Sequence, residues 1–221
     1  ALSRKSHGDY LNSAESLKAV LLDFQPSKFV HLAHPKPYNS EETLQLALSQ
    51  LVSVATFCED EGISLAYPSG WVVFDGHPAN EVTSTSSPVP HTRYGRLKAT
   101  IESYLSLSSE GGLDVKILRL PALFGEGSLE PRYLQYFANC AAKGQDIVYH
   151  DFSNGSARVP LVPVSACADA LASAVLQYES LPLVTHIGSA DLAPTVGETA
   201  HLVAEWAGIH ANPTPVARPV F

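Results

Sequence analysis

Methionine is absent from the 221 residues, tryptophan occurs twice and cysteine three times. Cys58, Cys140 and Cys167 stand far apart with no Cys-x-x-Cys pair. So sparse and odd a set argues against a disulfide framework and for buried thiols in a reducing compartment, hence a cytoplasmic setting. Basic residues are also scarce, 14 against 22 acidic ones, for a formal charge of −8. The one basic cluster, Arg4-Lys5, is too small for a nucleic-acid or anionic-membrane surface, so neither partner is expected. No apolar run approaches the ~20 residues of a membrane span. The opening residues lack the apolar core of a signal peptide, and with no initiator methionine Ala1 reads as a boundary inside a longer polypeptide. What remains is 45% hydrophobic and 16% charged, ordinary for a packed globule of one domain, or of one core with a smaller lobe.

Helical and strand patterns alternate along the chain. Asn12-Ser-Ala-Glu15 is a capping-box pattern ahead of an amphipathic stretch that Pro26 stops. Residues 28–33 then read as a short buried strand. Asn39-Ser-Glu-Glu42 opens a second helix that Gly62 ends, and residues 63–67 form a second strand, prolonged by 71–74 toward a turn at Asp75-Gly76. Residues 77–92 are a long Pro-, Ser- and Thr-rich loop, of the kind that borders sites in compact domains. A third helix runs over 93–108, and 114–124 is the most apolar strand. Beyond it come a helix with Pro131 in its first turn, short strands at 147–149 and 157–164, and a helix over 164–178. A core strand at 184–188, a helix boxed by Thr195-Val-Gly-Glu198 and an extended tail complete the chain. This order predicts an α/β fold, a Rossmann-like parallel sheet with flanking helices, whose site lies at the strands' carboxyl ends. Residues 1–125, joined by strand 184–188, form the expected core, and 126–221 a small substrate-binding lobe.

Tyr94-Gly-Arg-Leu-Lys98 carries the strongest chemical signal. Four residues on one helix bring a phenol and an ammonium to the same face, about 6 Å apart. A cation that close favours phenolate and lets a tyrosine act as general acid or base near neutral pH. Elsewhere the patterns are weaker. His31-x-x-His34 has no third ligand nearby, so His31 reads as a core or ribose-side residue rather than a metal ligand. Ser69 lies in Pro-Ser-Gly, which is no nucleophile elbow for a hydrolase. Gly125-Glu-Gly127 follows a strand, but Glu130 stands where a dinucleotide loop needs its third glycine, so it reads as a turn into the lobe.

Tyr67-Pro-Ser-Gly-Trp-Val-Val-Phe-Asp-Gly76, the Pro-rich loop, Tyr94-Gly-Arg-Leu-Lys98 and Leu118-Arg-Leu-Pro121 follow one another at fitting intervals. In these the chain resembles the extended short-chain dehydrogenase/reductases, the NAD-dependent epimerase/dehydratase superfamily, in its dTDP-4-dehydrorhamnose reductase-like branch. The resemblance runs from about Gly8-Asp9 to Gly208 and includes residues 29–33, the Arg158–Asp169 segment, and His186-Ile-Gly188 with the last helix. It implies an NAD(P)-dependent reductase or epimerase acting on a nucleotide-linked sugar. Tyr94 would be the acid/base, Lys98 would hold the nicotinamide ribose, and Ala33 and Pro121 would border the cofactor. The family's catalytic hydroxyl falls at Ser69 or at Gly70, and Arg132 and Arg158 are candidates for the substrate diphosphate.

Two departures stand out. The helix asparagine usual near residues 47–50 is missing, and so is the glycine-rich strand–turn–helix that seats the pyrophosphate. Roughly two βα units, about 60 residues, are lacking by that measure, so the fold is expected to be N-terminally truncated. An open sheet edge then calls for an upstream segment or a protein partner to cover it. The alternative is a non-catalytic scaffold or regulatory module that keeps the packing and part of the site.

Overall fold

The computed structural model describes residues 14–35, 40–77, 82–83, 85–125, 133–152, 158, 160–188, 193–208 and 213–218. Gly8-Asp9, the Asn12 cap, Glu130, Pro131 and Arg132 lie outside them. The described chain runs α1 (Ala14–Phe24), β1 (Lys28–Val30), α2 (Glu41–Asp60), β2 (Ser64–Gly70), a 3-10 turn (Trp71–Phe74), α3 (Arg93–Gly111), β3 (Val115–Leu120) and β4 (Ala122–Phe124). It continues through α4 (Tyr133–Ala142), β5 (Val148–Phe152), β6 (Leu161–Pro163), α5 (Val164–Leu176), a second 3-10 turn (Tyr178–Ser180), β7 (Val184–His186), α6 (Val196–Trp206) and β8 (Thr214–Arg218).

Four strands form the central sheet in the order β1-β2-β3-β7, every pair parallel, as the alternating pattern predicts. Alternation of side chains decides what each face meets. Leu65 and Tyr67 of β2, with Val115 and Ile117 of β3, join the core beneath α2 and α3, beside Leu51, Val54, Leu97, Ile101 and Leu105. Ala66 and Leu118, one residue out of phase, face the other way onto Ala174, Leu171 and Tyr178. Tyr178 is fully buried there, and its hydroxyl reaches the carbonyls of Leu65 and Asp114 at 3.0 and 2.9 Å.

Two helix starts carry side-chain caps within the patterns that the sequence marks, α2 at Ser40 inside Asn39-Ser-Glu-Glu42 and α6 at Thr195. Ser40 accepts the Thr43 N–H at 3.2 Å, with Glu41 and Glu42 placed to meet the positive end of the α2 dipole. Thr195 and Glu198 form the full capping box of α6. All three cysteines are buried and unbridged.

Four expectations need correction. Strand β1 stops at Val30 rather than residue 33. Residues 71–74 do not prolong β2 but curl into a 3-10 turn. The apolar run 114–124 is not one strand: it divides at Pro121, which has no N–H to donate to a ladder, and Ala122–Phe124 pairs instead with Leu161–Pro163. The tail beyond Pro213 is not merely extended, since β8 pairs in parallel with β5 along its length. That pair, with α4 and α6, surrounds a separate small core of Phe137, Cys140, Ala141, Ile147, Ala200 and Ala204. Among the described residues no helix is long and apolar enough to cross a membrane.

Candidate active site

The site begins with the turn that follows β2. Asp75 accepts hydrogen bonds from the His91 N–H, the Thr92 N–H and the Thr92 hydroxyl, closing the long loop onto the start of α3. Thr92 in turn caps α3 by accepting the Gly95 N–H at 3.0 Å. Gly95 is required for this approach, because a β-carbon there would lie 2.6 Å from the Val72 carbonyl oxygen. The glycine after the tyrosine therefore lets α3 settle against the 3-10 turn and carries Tyr94 and Lys98 to the ends of the strands.

Lys98 is only 6% exposed, and its ammonium donates to the Tyr67 hydroxyl at 2.8 Å and to the Pro68 carbonyl at 3.0 Å. It lies 4.6 Å from the centre of the Tyr67 ring and 5.7 Å from that of Tyr94. Burial pushes its pKa down to about 8, against the pull of Glu102 in the other direction. Past the end of β1, the His31 ring stacks on Tyr67 with centroids 6.4 Å apart, and His34 meets Tyr94 edge-on at 5.1 Å. Burial and then the Lys98 charge push both imidazoles down to about 4, so they are neutral at ordinary pH.

One turn beyond Lys98, Glu102 anchors a buried network. Its carboxylate accepts the Ser69 hydroxyl and takes Arg119 through both Nε and Nη2, the latter at 2.7 Å. Arg119 Nη1 lies 3.2 Å from His186 Nε2, and the guanidinium covers the Phe74 ring at 4.8 Å. Strand register explains the row, because Ser69 pairs with Arg119 and Arg119 with His186 across β2, β3 and β7. All three side chains point to the α3 side, as Tyr67 does.

The predicted Tyr94, Lys98 and Ser69 are thus gathered on one helix and the strand beside it. Pro121 is buried immediately past β3, and Ala33 is half-buried between the two histidines. Arg158 lies elsewhere, at the start of α6, where Glu198 and the Ala193 carbonyl bind its guanidinium. The sequence reading missed Tyr67, Glu102, Arg119 and His186. Two signals were present: Tyr94, Lys98 and Glu102 recur at intervals of four on one helix, and Arg119 interrupts the most apolar strand.

The family model of the RmlD substrate binding domain matches residues 2–218, nearly the whole chain. The chain belongs to this family. No curated protein sequence matches it. Among solved structures, the UDP-glucose 4-epimerase of Thermus thermophilus, in complex with NAD, is 23% identical with a TM-score of 0.71, over 96% of this chain and 71% of that one. The dTDP-4-dehydrorhamnose reductase of Bacillus anthracis, in complex with NADP, is 18% identical with a TM-score of 0.75, over 99% and 77%. The dTDP-glucose 4,6-dehydratase of the same organism, in complex with NAD, is 16% identical with a TM-score of 0.77, over 94% and 66%. This RmlD-type chain therefore shares its fold with these enzymes and spans 66–77% of their length.

Proposed function

We propose that this chain holds the nicotinamide half of a site for NAD(P)-dependent reduction or epimerisation of a nucleotide-linked sugar. The supporting observation is the buried Lys98 ammonium beside the Tyr94 ring at the carboxyl end of a parallel sheet. The residues fit a nicotinamide riboside: the third Lys98 N–H meets no acceptor among the described residues and suits a ribose hydroxyl, and Ala33 and Pro121 remain the candidates to border the ring. When bound, the nicotinamide supplies or accepts hydride. Tyr94 gives the proton from its hydroxyl to a carbonyl oxygen, or takes it from a carbinol, beside a Lys98 that is charged below about pH 8. Arg132 and Arg158 are the candidates for the substrate diphosphate, Arg158 by exchanging Glu198 for phosphate oxygens.

A second reading, a non-catalytic module that binds a partner protein, draws on a different observation. The Ser69 hydroxyl is committed to Glu102, and the next residue, Gly70, has no hydroxyl to offer. Nicotinamide fluorescence separates the two. The dehydrogenase reading expects NADH or NADPH to bind in the micromolar range and the double change Tyr94→Phe/Lys98→Ala to abolish it. An unaltered affinity in that variant sinks the catalytic reading.

A further inference from the structure

Lysine has a flexible four-carbon stem and three rotatable donors, so a lysine that must meet a ligand at a defined point needs something to stop it turning. Lys98 is stopped by strand β2. The Tyr67 oxygen and the Pro68 carbonyl, neighbours in β2, take two of its three hydrogens, and the Tyr67 ring lies under the charge at 4.6 Å. Tyr67 is itself held, packed in the core with 3% exposure and stacked on His31. Strand alternation sends its side chain to the α3 face, and its ring spans the gap between sheet and helix. We infer that Tyr67 is the positioning residue of the site: it fixes the Lys98 ammonium so that the remaining N–H is presented beside Tyr94.

The inference rests on the dehydrogenase reading for its purpose, but not for its geometry. Burial holds the Tyr67 pKa well above 10, so the phenol stays neutral and accepts from a charged ammonium without competing for the role of acid or base. An acceptor at 2.8 Å favours the charged form of Lys98, beside the Glu102 charge that also opposes the desolvation depressing it. Removing the oxygen and keeping the ring isolates this effect.

The test is a side-chain nitrogen NMR titration of the full chain, with the Lys98 signal assigned by its loss in Lys98→Arg. The wild type is expected to titrate near 8, with ammonium hydrogens that exchange more slowly at neutral pH than those of exposed lysines. In Tyr67→Phe the midpoint should fall by about one pH unit, the effect of losing one hydrogen bond to a charged group. An unshifted midpoint in a folded Tyr67→Phe overturns the inference. If that variant does not fold, a wild-type Lys98 ammonium that exchanges as fast as exposed ones overturns it equally. The titration needs no cofactor, so the dehydrogenase reading can fail on cofactor binding without touching this result. Where NADPH does bind, Tyr67→Phe should weaken it about tenfold.

Discussion

Two arginine–glutamate pairs divide the molecule. In the sheet, Arg119 and Glu102 meet with side chains 6% exposed each; in the lobe, Arg158 and Glu198 meet with 52% and 50% exposure. Both are two-pronged. The lobe pair stays in water, where attraction is screened and either charge alone is well solvated. The sheet pair has exchanged water for Ser69, His186 and the Phe74 ring, so each charge depends on the other. Identical chemistry therefore has opposite consequences: the buried pair sets the geometry of the site, while the exposed pair decorates a helix start.

The sharpest way to break this contrast is Glu102→Ala, which leaves a buried guanidinium unpaired. It should lower stability by about 3–5 kcal/mol in urea unfolding, and Glu102→Leu with Arg119→Met should recover much of the loss. Equal sensitivity of the two pairs erases the distinction. A second contrast lies in two glycines. Gly95→Ala drives a β-carbon toward the Val72 backbone carbonyl at 2.6 Å, whereas Gly197→Ala meets the ring of Tyr149 at 2.9 Å, a side chain that can move. Thermal melts should show Gly95→Ala destabilised by about 1–3 kcal/mol and Gly197→Ala by less.

The smallest effect is expected at Glu198→Gln, whose urea midpoint at pH 7 should fall by a small but measurable amount. Its pKa is held below the ordinary value first by the Thr195 N–H and then by Arg158. A depressed carboxylate stabilises the fold above its unfolded pKa and loses that contribution as pH falls through the folded one. The difference between wild type and Glu198→Gln should therefore be present at neutral pH and vanish in acid. A difference that grows in acid contradicts the assignment.

Much of the architecture was legible in the residues. Apolar periodicity marked α1 and α2, the Thr195–Glu198 box marked α6, and alternation of the two patterns predicted the parallel sheet. Tyr94 and Lys98 were legible because their relation is local, a single turn of one helix. The break at Pro121 was missed because a proline at the end of an apolar run does not say which sheet the next residues join. The β5–β8 pair was missed for a related reason: its strands are separated by more than sixty residues, and an isolated tail reads the same whether paired or free. Tyr67 looked like one more apolar residue in a strand, and only the crossing of α3 over β2 made its hydroxyl the acceptor for Lys98.

The sequence by itself determined the periodic elements, their caps and the phenol–ammonium pair, because these rest on contacts within about one helical turn or on a repeat of two. Tertiary structure alone decided that Lys98 is dry and held from two sides, that Glu102 faces Arg119, and that Ser69 spends its proton on a carboxylate. Burial and register arise between strands and helices far apart in the chain, and they convert ordinary residues into a charged network that no local pattern announces.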